Sequence, residues 1–187
     1  FRGVHGAYRI IIDNIKKLNK ANFVKHIQVT TVFHKKNIDQ LDELYYIMKD
    51  LKLDSWRLVA MDPIGRSKEN SNLLLDGEEL KKILDFIKTK KNDRKPEITY
   101  GCSSFLGLDY EKEVRKYYFY CKSGINVASI LYNGDLFVCP NVPRRKELIQ
   151  GNIKVDNFKD VWDNKYKQFR NKNRTKCSSC EQCEQWE

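Results

Sequence analysis

Helical and strand-like patterns alternate through the first hundred residues of the chain. Apolar residues recur at helical spacing in three segments, residues 8–18, 41–51 and 80–87. Three runs with strand character separate or follow these segments, namely residues 27–33, 55–61 and 97–100. Strands separated by helices pair in parallel through right-handed crossovers. The order therefore predicts an α/β fold with a parallel sheet.

Two of the predicted helices carry an N-terminal capping signature. Asn37 is followed three residues later by Gln40, and Asp76 by Glu79. In a capping box the first side chain accepts from a backbone N–H of the first turn and the second reaches back. We expect both pairs to begin helices in this way.

Residues 121–140, CKSGINVASILYNGDLFVCP, predict a hydrophobic hairpin that opens on Cys121 and ends beside Cys139. Asn133-Gly134 is the strongest short-range indicator of a tight turn, since both residues readily adopt positive φ. With that turn, Cys139 lies opposite Ala128, and Cys121 lies beyond the paired strands. The hairpin does not imply a disulfide, so another group would have to bring the two sulfurs together.

A second group of cysteines lies close to the last residue. Cys177, Cys180 and Cys183 form two overlapping C-x2-C units after a predicted helix that Asp156 or Asn157 could cap. Such spacing lets two sulfurs reach one tetrahedral ion or one face of a cluster. The chain has six cysteines and no secretory signal, which indicates a reducing, cytoplasmic compartment where thiols serve metals.

Composition excludes some classes of function. No apolar run approaches the length of about 18 residues that a membrane span requires. The formal net charge is +10, but the basic residues are scattered through predicted helices and loops. The densest run, residues 88–95, is interpreted as a solvated helix end before Pro96. Nucleic-acid binding is kept as a minor alternative.

One loop is a candidate for substrate binding. Residues 62–67 follow the second predicted strand, and loops at this end of parallel strands often carry function. Within the loop, Arg66 could bind a carboxylate or phosphate in a bidentate manner. The three histidines, His5, His26 and His34, have no partner at metal-ligand spacing, so we expect structural roles for them.

The cysteine spacing resembles a known family. Cys121, twelve residues, Gly134, four residues and Cys139 match the opening of the SPASM domain of radical S-adenosylmethionine enzymes. Later segments resemble the family in the same order: Gly151-Asn152-Ile153, Val161-Trp162, Phe169-Arg170 and the terminal cysteines. Residues 1–6 and 63–66 resemble parts of the barrel that precedes this domain. The resemblance covers essentially the whole chain.

The resemblance implies a domain organisation. Residues 1–100 would form the back half of a partial (β/α)6 barrel, and residues 101–187 a SPASM unit or its shorter twitch relative, with a hairpin, a helix and a cysteine cluster. The family's next element is C-x2-C-x5-C; from Cys180 and Cys183, its third cysteine would follow Glu187. We interpret the chain as part of a longer protein, since it also begins at Phe1 rather than with methionine.

The resemblance also implies cofactors and ligands. Cys121 and Cys139 would bind one auxiliary [4Fe-4S] cluster, and Cys180 and Cys183 would belong to a second one. Cys177 and Cys102 are further candidate ligands. On the residues alone, a zinc-stabilised binding module that uses four of Cys121, Cys139, Cys177, Cys180 and Cys183 remains an alternative.

In the family, the catalytic cluster bound by C-x3-C-x2-C cleaves S-adenosylmethionine, and the resulting radical abstracts hydrogen from the substrate. This motif is absent from the sequence. We therefore expect the chain alone to be inactive and the activity to belong to a longer radical S-adenosylmethionine oxidoreductase or maturase. Its expected partners are a peptide or protein substrate and an electron donor.

Overall fold

The computed structural model describes residues 3–21, 23–101 and 104–171. The chain divides into two compact units, Phe1–Phe119 and Tyr120–Glu187. The boundary predicted from sequence lay nineteen residues earlier, between residues 100 and 101. Within the described ranges, no helix is both long and apolar enough to cross a membrane.

The first unit alternates helices and strands in the predicted order. Its regular elements are α1 (Ala7–Lys20), β1 (Gln28–Phe33), α2 (Leu41–Asp50), β2 (Ser55–Ala60), α3 (Gly77–Lys90), β3 (Glu97–Tyr100) and α4 (Leu108–Val114). Short 3-10 segments cover Ile38–Gln40 and Gly65–Leu73. The helix α4 was not predicted, and it packs against α3 and β3.

The three strands of this unit form a parallel sheet in the order β1-β2-β3. In the register of the sheet, Val29 lies beside Trp56, and Trp56 lies beside Ile98. Each strand is joined to the next by a helix, as parallel pairing requires. The prediction of an α/β fold with a parallel sheet is confirmed.

The core of the first unit lies between the sheet and its helices. Trp56 is fully buried at its centre, and its indole N–H donates to Thr31 Oγ1 over 2.8 Å. The Trp56 ring lies 6.2 Å from Phe33 and 6.1 Å from Phe86, in tilted and edge-on arrangements typical of aromatic pairs. The helices α2 and α3 contribute apolar side chains to this core, among them Tyr45 and Phe86.

One predicted capping box is present and the other is not. Asp76 and Glu79 exchange backbone-to-carboxylate hydrogen bonds of 2.9 Å at the start of α3. The prediction for Asn37 and Gln40 is wrong. The Asn37 side chain instead accepts from the His34 N–H and donates to the Val32 carbonyl, so it closes the end of β1.

The second unit is built on an antiparallel sheet. Its elements are β4 (Ser129–Ile130), β5 (Asp135–Phe137), β6 (Ile149–Asn152), α5 (Phe158–Asn164) and α6 (Lys167–Arg170). The strands pair in the order β4-β5-β6, so the hairpin has a third strand beside it that was not predicted. Leu136, Phe137, Val138, Val161 and Tyr166 form its buried core.

The hairpin register differs from the prediction by one residue. Ser129 pairs with Phe137, and the Leu131 N–H donates to the Asp135 carbonyl, so three residues rather than two form the loop. Gly134 has a φ of 94°, whereas Asn133 does not adopt a positive φ. A three-residue loop ending in a left-handed glycine is a common hairpin connection. Cys139 is therefore not placed opposite Ala128.

Candidate metal centre

Cys139 follows the best-buried strand of the second unit. Leu136, Phe137 and Val138 are buried, and the half-buried Cys139 side chain packs at the edge of the same apolar cluster. The backbone N–H of Asn141 donates to Cys139 Sγ over 3.4 Å. Hydrogen bonds from backbone N–H groups to sulfur are among the features that set the reduction potential of thiolate-bound iron–sulfur clusters. This thiol is thus positioned and given a hydrogen bond by its own chain.

Cys121 opens a tight turn that precedes the hairpin. The Lys122 carbonyl accepts backbone N–H groups from the residues at 125, 126 and 127, at 3.1 to 3.2 Å. The Gly124 N–H donates to the Val127 carbonyl over 2.8 Å, and Gly124 has a φ of 70°. The turn therefore has a defined backbone, while the Cys121 side chain is exposed and free.

A column of aromatic rings runs along α5 and α6. Successive ring centroids from Phe158 to Trp162, Tyr166 and Phe169 are 6.1, 5.0 and 5.8 Å apart. The Tyr166 hydroxyl donates to the Phe137 carbonyl over 3.1 Å. Burial raises the pKa of Tyr166, so the hydroxyl keeps the proton that this bond requires.

The guanidinium of Arg170 lies beside this column. Its Nε donates to the Gly124 carbonyl over 3.0 Å, and its Nη2 donates to the Trp162 carbonyl over 2.9 Å. The guanidinium carbon lies 4.4 Å from the centre of the Trp162 ring, a distance typical of cation–π contacts.

The described residues include two of the predicted metal ligands, Cys121 and Cys139. Cys121 and Cys139 are not joined in a disulfide, which suits thiolate ligation. Among the residues that the structure describes, no three His, Cys, Asp or Glu side chains are grouped as a metal ion would need. The other predicted ligands, Cys102, Cys177, Cys180 and Cys183, lie outside the described residues. The assignment of Cys121 and Cys139 as cluster ligands stays a prediction.

Comparison with known proteins bears directly on this centre. A family model for SPASM, an iron-sulfur cluster-binding domain, matches residues 121–184. The AdoMet-dependent heme synthase of Methanosarcina barkeri is 22% identical to this protein, over an alignment that covers 97% of this chain. Together with the fold, these matches support a radical S-adenosylmethionine protein with a SPASM domain.

Solved structures extend this relationship to the fold. Streptococcus suis SuiB bound to S-adenosylmethionine matches 94% of the chain with a TM-score of 0.64 at 20% identity. SuiB bound to its precursor peptide SuiA matches 92% with a TM-score of 0.55 at 19% identity. The chain spans 55% of the heme synthase and about two fifths of SuiB, 42% and 41% in these two structures.

One buried ion pair of the first unit was missed by sequence reasoning. Glu111 on α4 is fully buried and pairs with Arg115, whose guanidinium also donates to the Ser104 carbonyl over 3.0 Å. The same carboxylate accepts the backbone N–H groups of Leu106 and Phe119, at 2.9 and 2.8 Å. A Glu followed four residues later by Arg was the available indication, but such pairs are usually exposed.

The loop after β2 holds its predicted arginine at the surface. Arg66 is exposed in the 3-10 segment Gly65–Leu73, and its carbonyl accepts from Asn70 Nδ2 over 3.0 Å. The Ser67 hydroxyl accepts from the Ile64 N–H over 2.8 Å and also contacts the Asp62 carbonyl, which fixes the start of the segment. The role of Arg66 in substrate binding stays a prediction.

Two histidines have local structural contacts. The buried His34 accepts from the Lys36 N–H through Nδ1 over 3.2 Å, and burial followed by the nearby Lys36 charge lowers its pKa. His26 Nε2 lies 2.8 Å from the Ser55 hydroxyl.

The lysines of the densest basic run, residues 88–95, contact side chains of the first unit. Lys91 pairs with Glu113, and Lys95 pairs with Asp54 over 2.6 Å. Lys90 lies 4.7 Å from the Tyr45 ring centre, and Lys88 lies 5.2 Å from that of Tyr110. These lysines bind neighbouring side chains, which gives no support to the nucleic-acid alternative.

Proposed function

We propose that this chain binds an auxiliary iron–sulfur cluster through Cys121 and Cys139, as part of a radical S-adenosylmethionine enzyme. The observation that carries the proposal is the setting of Cys139: its thiol is half-buried at the end of the hairpin, and a backbone N–H donates to the sulfur over 3.4 Å. The SPASM match begins at Cys121, so both thiols lie within it.

The remaining ligands would come from cysteines outside the described residues. Cys180 and Cys183 would bind a second cluster together with residues of a longer chain, unless the domain is a one-cluster twitch unit. Cys177 and Cys102 are further candidates. Both clusters are proposed to be of the [4Fe-4S] type.

When bound, such a cluster supplies one-electron chemistry at a potential set by its surroundings. The residues of this chain would control that potential. The Asn141 N–H withdraws electron density from the Cys139 sulfur, and the apolar cluster of Leu136, Phe137 and Val138 limits access of water from one side.

The first unit is proposed to be the back half of a partial (β/α)6 barrel. Its parallel β1-β2-β3 sheet with intervening helices supports this, as does the likeness to SuiB. The C-x3-C-x2-C motif is absent from residues 1–187. We expect these residues alone not to cleave S-adenosylmethionine; formation of 5′-deoxyadenosine by the reduced, reconstituted chain would contradict this.

A peptide or protein is the proposed substrate, and an electron donor the second partner. The support is that SuiB is known bound to its precursor peptide SuiA, while exposed Arg66 could bind a carboxylate of such a substrate. Because another relative is a heme synthase, the full-length enzyme should be offered both peptides encoded beside its gene and tetrapyrroles. Substrate-dependent 5′-deoxyadenosine with tetrapyrroles only would overturn the peptide assignment.

The metal is tested in the full-length protein purified without oxygen. Thiolate-bound iron gives sulfur-to-iron charge-transfer absorption, whereas closed-shell zinc gives none. We expect iron and sulfide in the wild type, and loss of one cluster's share of both in Cys121→Ala and in Cys139→Ala. Cys177→Ala is expected to have the smallest effect among the terminal cysteines.

The same measurement decides between iron and zinc. Stoichiometric zinc, with no iron and no visible absorption, would overturn the iron–sulfur proposal and establish the zinc-stabilised module. Iron content unchanged in both single cysteine variants would exclude Cys121 and Cys139 as ligands.

A further inference from the structure

We propose that Tyr166 and Arg170 are positioning residues that together determine where the thiols of Cys139 and Cys121 lie. This inference rests on the proposed function, because it concerns the geometry of the ligands of the auxiliary cluster. Both residues belong to one helical turn of the second unit, and neither is proposed to touch the cluster itself.

Tyr166 fixes the backbone on the approach to Cys139. Its fully buried hydroxyl donates to the Phe137 carbonyl over 3.1 Å, two residues before the cysteine. The ring packs between Trp162 and Phe169, with centroids 5.0 and 5.8 Å away. Removing this hydroxyl would take one hydrogen-bond donor away from the Phe137 carbonyl, at the residue where the strand β5 ends.

Arg170 fixes the turn that follows Cys121. Its planar guanidinium bridges two carbonyls, those of Gly124 and Trp162, at 3.0 and 2.9 Å, while stacking over the Trp162 ring. A rigid fork of donors suits this bridge, which the single ammonium of lysine cannot reproduce. The bond from Nε joins the Cys121 turn to α6, and Gly124 and Arg170 are 46 residues apart along the chain.

The packing around Gly124 leaves the turn little freedom to move. A Cβ on Gly124 would lie 2.5 Å from the Phe169 Cβ, and the φ of 70° also disfavours a side chain. The glycine backbone is therefore in direct contact with the helical turn that carries Arg170. This close approach and the Arg170 bridge act on the same residue, three positions after Cys121.

The three contacts come from one face of a single helical turn. Tyr166, Phe169 and Arg170 are spaced at i, i+3 and i+4, which places their side chains on the same side. The Phe169 N–H donates to the Tyr166 carbonyl over 3.0 Å, so the turn is continuous. Movement of this turn would shift the backbone next to both thiols, and so change the coordination geometry.

The experiment compares arginine variants in the full-length protein, purified without oxygen. Arg170→Gln removes the bridge, Arg170→Lys keeps the charge without the fork, and Arg144→Gln is the matched control. Arg144 is an exposed arginine of the same unit that stacks on Tyr132, 5.2 Å away. The measurements are iron per chain, the rate of iron release to a chelator, and the midpoint potential and electron paramagnetic resonance signal of the auxiliary cluster.

We expect Arg170→Gln to release iron about tenfold faster than the wild type, as is typical when a residue that orients a ligand is lost. Its midpoint potential and resonance signal should shift, Arg170→Lys should be intermediate, and Arg144→Gln should match the wild type. If Arg170→Gln does not fold, Tyr166→Phe gives the same test, since it removes one hydroxyl and retains the ring.

A wild-type protein without iron would overturn the proposed function, and the inference with it. Iron-containing wild type with unchanged release, potential and resonance signal in the folded variants would overturn the inference alone. A loss of thermal stability without any change in the cluster's properties would assign Tyr166 and Arg170 a purely structural role, which also contradicts the inference.

Discussion

Eighteen buried apolar residues form the core of the first unit, whereas five form the core of the second, counted over the described residues. The second unit leaves much of its hairpin uncovered: Ile125, Val127, Ile130 and Tyr132 are 44%, 44%, 58% and 87% exposed. Side-chain bonds to the backbone, such as those from Tyr166 and Arg170, hold it together instead.

This difference indicates how each unit obtains its stability. The first unit buries enough apolar surface around a sheet to be stabilised by packing. A unit with so small a core usually needs a further constraint, such as a disulfide or a metal. Since Cys121 and Cys139 are free thiols, the proposed cluster would be the constraint that stabilises the second unit.

Removal of iron should therefore affect the two units very differently. We expect a chelator under reducing conditions to abolish most amide protection in residues 120–171, because ligand binding and folding are coupled in small metal domains. Residues 23–101 should keep their amide protection, because their core does not depend on the proposed cluster. Hydrogen exchange followed by mass spectrometry measures both in one sample, and equal losses in the two units would contradict the comparison.

Trp56→Ala should produce the opposite pattern. The side chain is fully buried and contacts Phe33 and Phe86, so its loss should lower the free energy of unfolding of the first unit by about 3–5 kcal/mol. Urea denaturation measures this change, which should be the same with and without iron. Trp56→Phe, which keeps a ring, is the control and should cost less; equal costs would mean that ring packing is not what Trp56 contributes.

The same contrast decides what could be predicted from the sequence. In the first unit, the strands were predicted to within one residue because helical and strand periodicities are local properties. The cap at Asn37 is missing because a competing local turn uses its side chain: the amide bonds to His34 and Val32, three and five residues earlier, at the end of β1. Burial of Glu111 could not be predicted because it depends on the packing of α4 against α3 and β3. Arg115 and two backbone N–H groups compensate the buried charge.

In the second unit, the sequence located the hairpin but not its register or its third strand. The turn at Gly134 is held from β6: Asn152 Nδ2 donates to the Asn133 carbonyl over 3.3 Å, and the Ile153 N–H donates to the Gly134 carbonyl over 2.9 Å. Such non-local contacts select the three-residue loop. The longer loop pairs Phe137 with Ser129 instead of Ile130, and this shift of one residue is why Cys139 does not lie opposite Ala128.

A smaller effect is expected from a helix cap in the second unit. Asn157 caps α5 by accepting the N–H groups of Lys159 and Asp160, at 2.9 and 3.3 Å. Asn157→Ala should destabilise this unit by about 1 kcal/mol and leave the first unit unchanged. Asn164→Ala, at the exposed end of the same helix, is the control. Unfolding of iron-loaded protein measures the change, and equal values for the two variants would contradict the capping role.

The smallest expected effect is a pH dependence confined to the first unit. Burial lowers the pKa of His34 below its ordinary value of 6.5, so the neutral ring is favoured in the folded state. Its contribution to stability should be fully present above pH 6.5 and be lost as the pH falls through the folded pKa. Residues 120–187 contain no histidine, so the second unit has no corresponding group that titrates over the same range.

Variants at two histidines test this dependence. In His34→Asn the side-chain oxygen can still accept the Lys36 N–H that now binds Nδ1, but it cannot be protonated. The free energy of unfolding of the first unit, measured in urea from pH 7 to pH 5, should fall less in His34→Asn than in the wild type. His5→Asn, at an exposed position, should follow the wild type. Parallel curves for all three proteins would mean that protonation of His34 does not couple to folding, and that acid does not distinguish the two units.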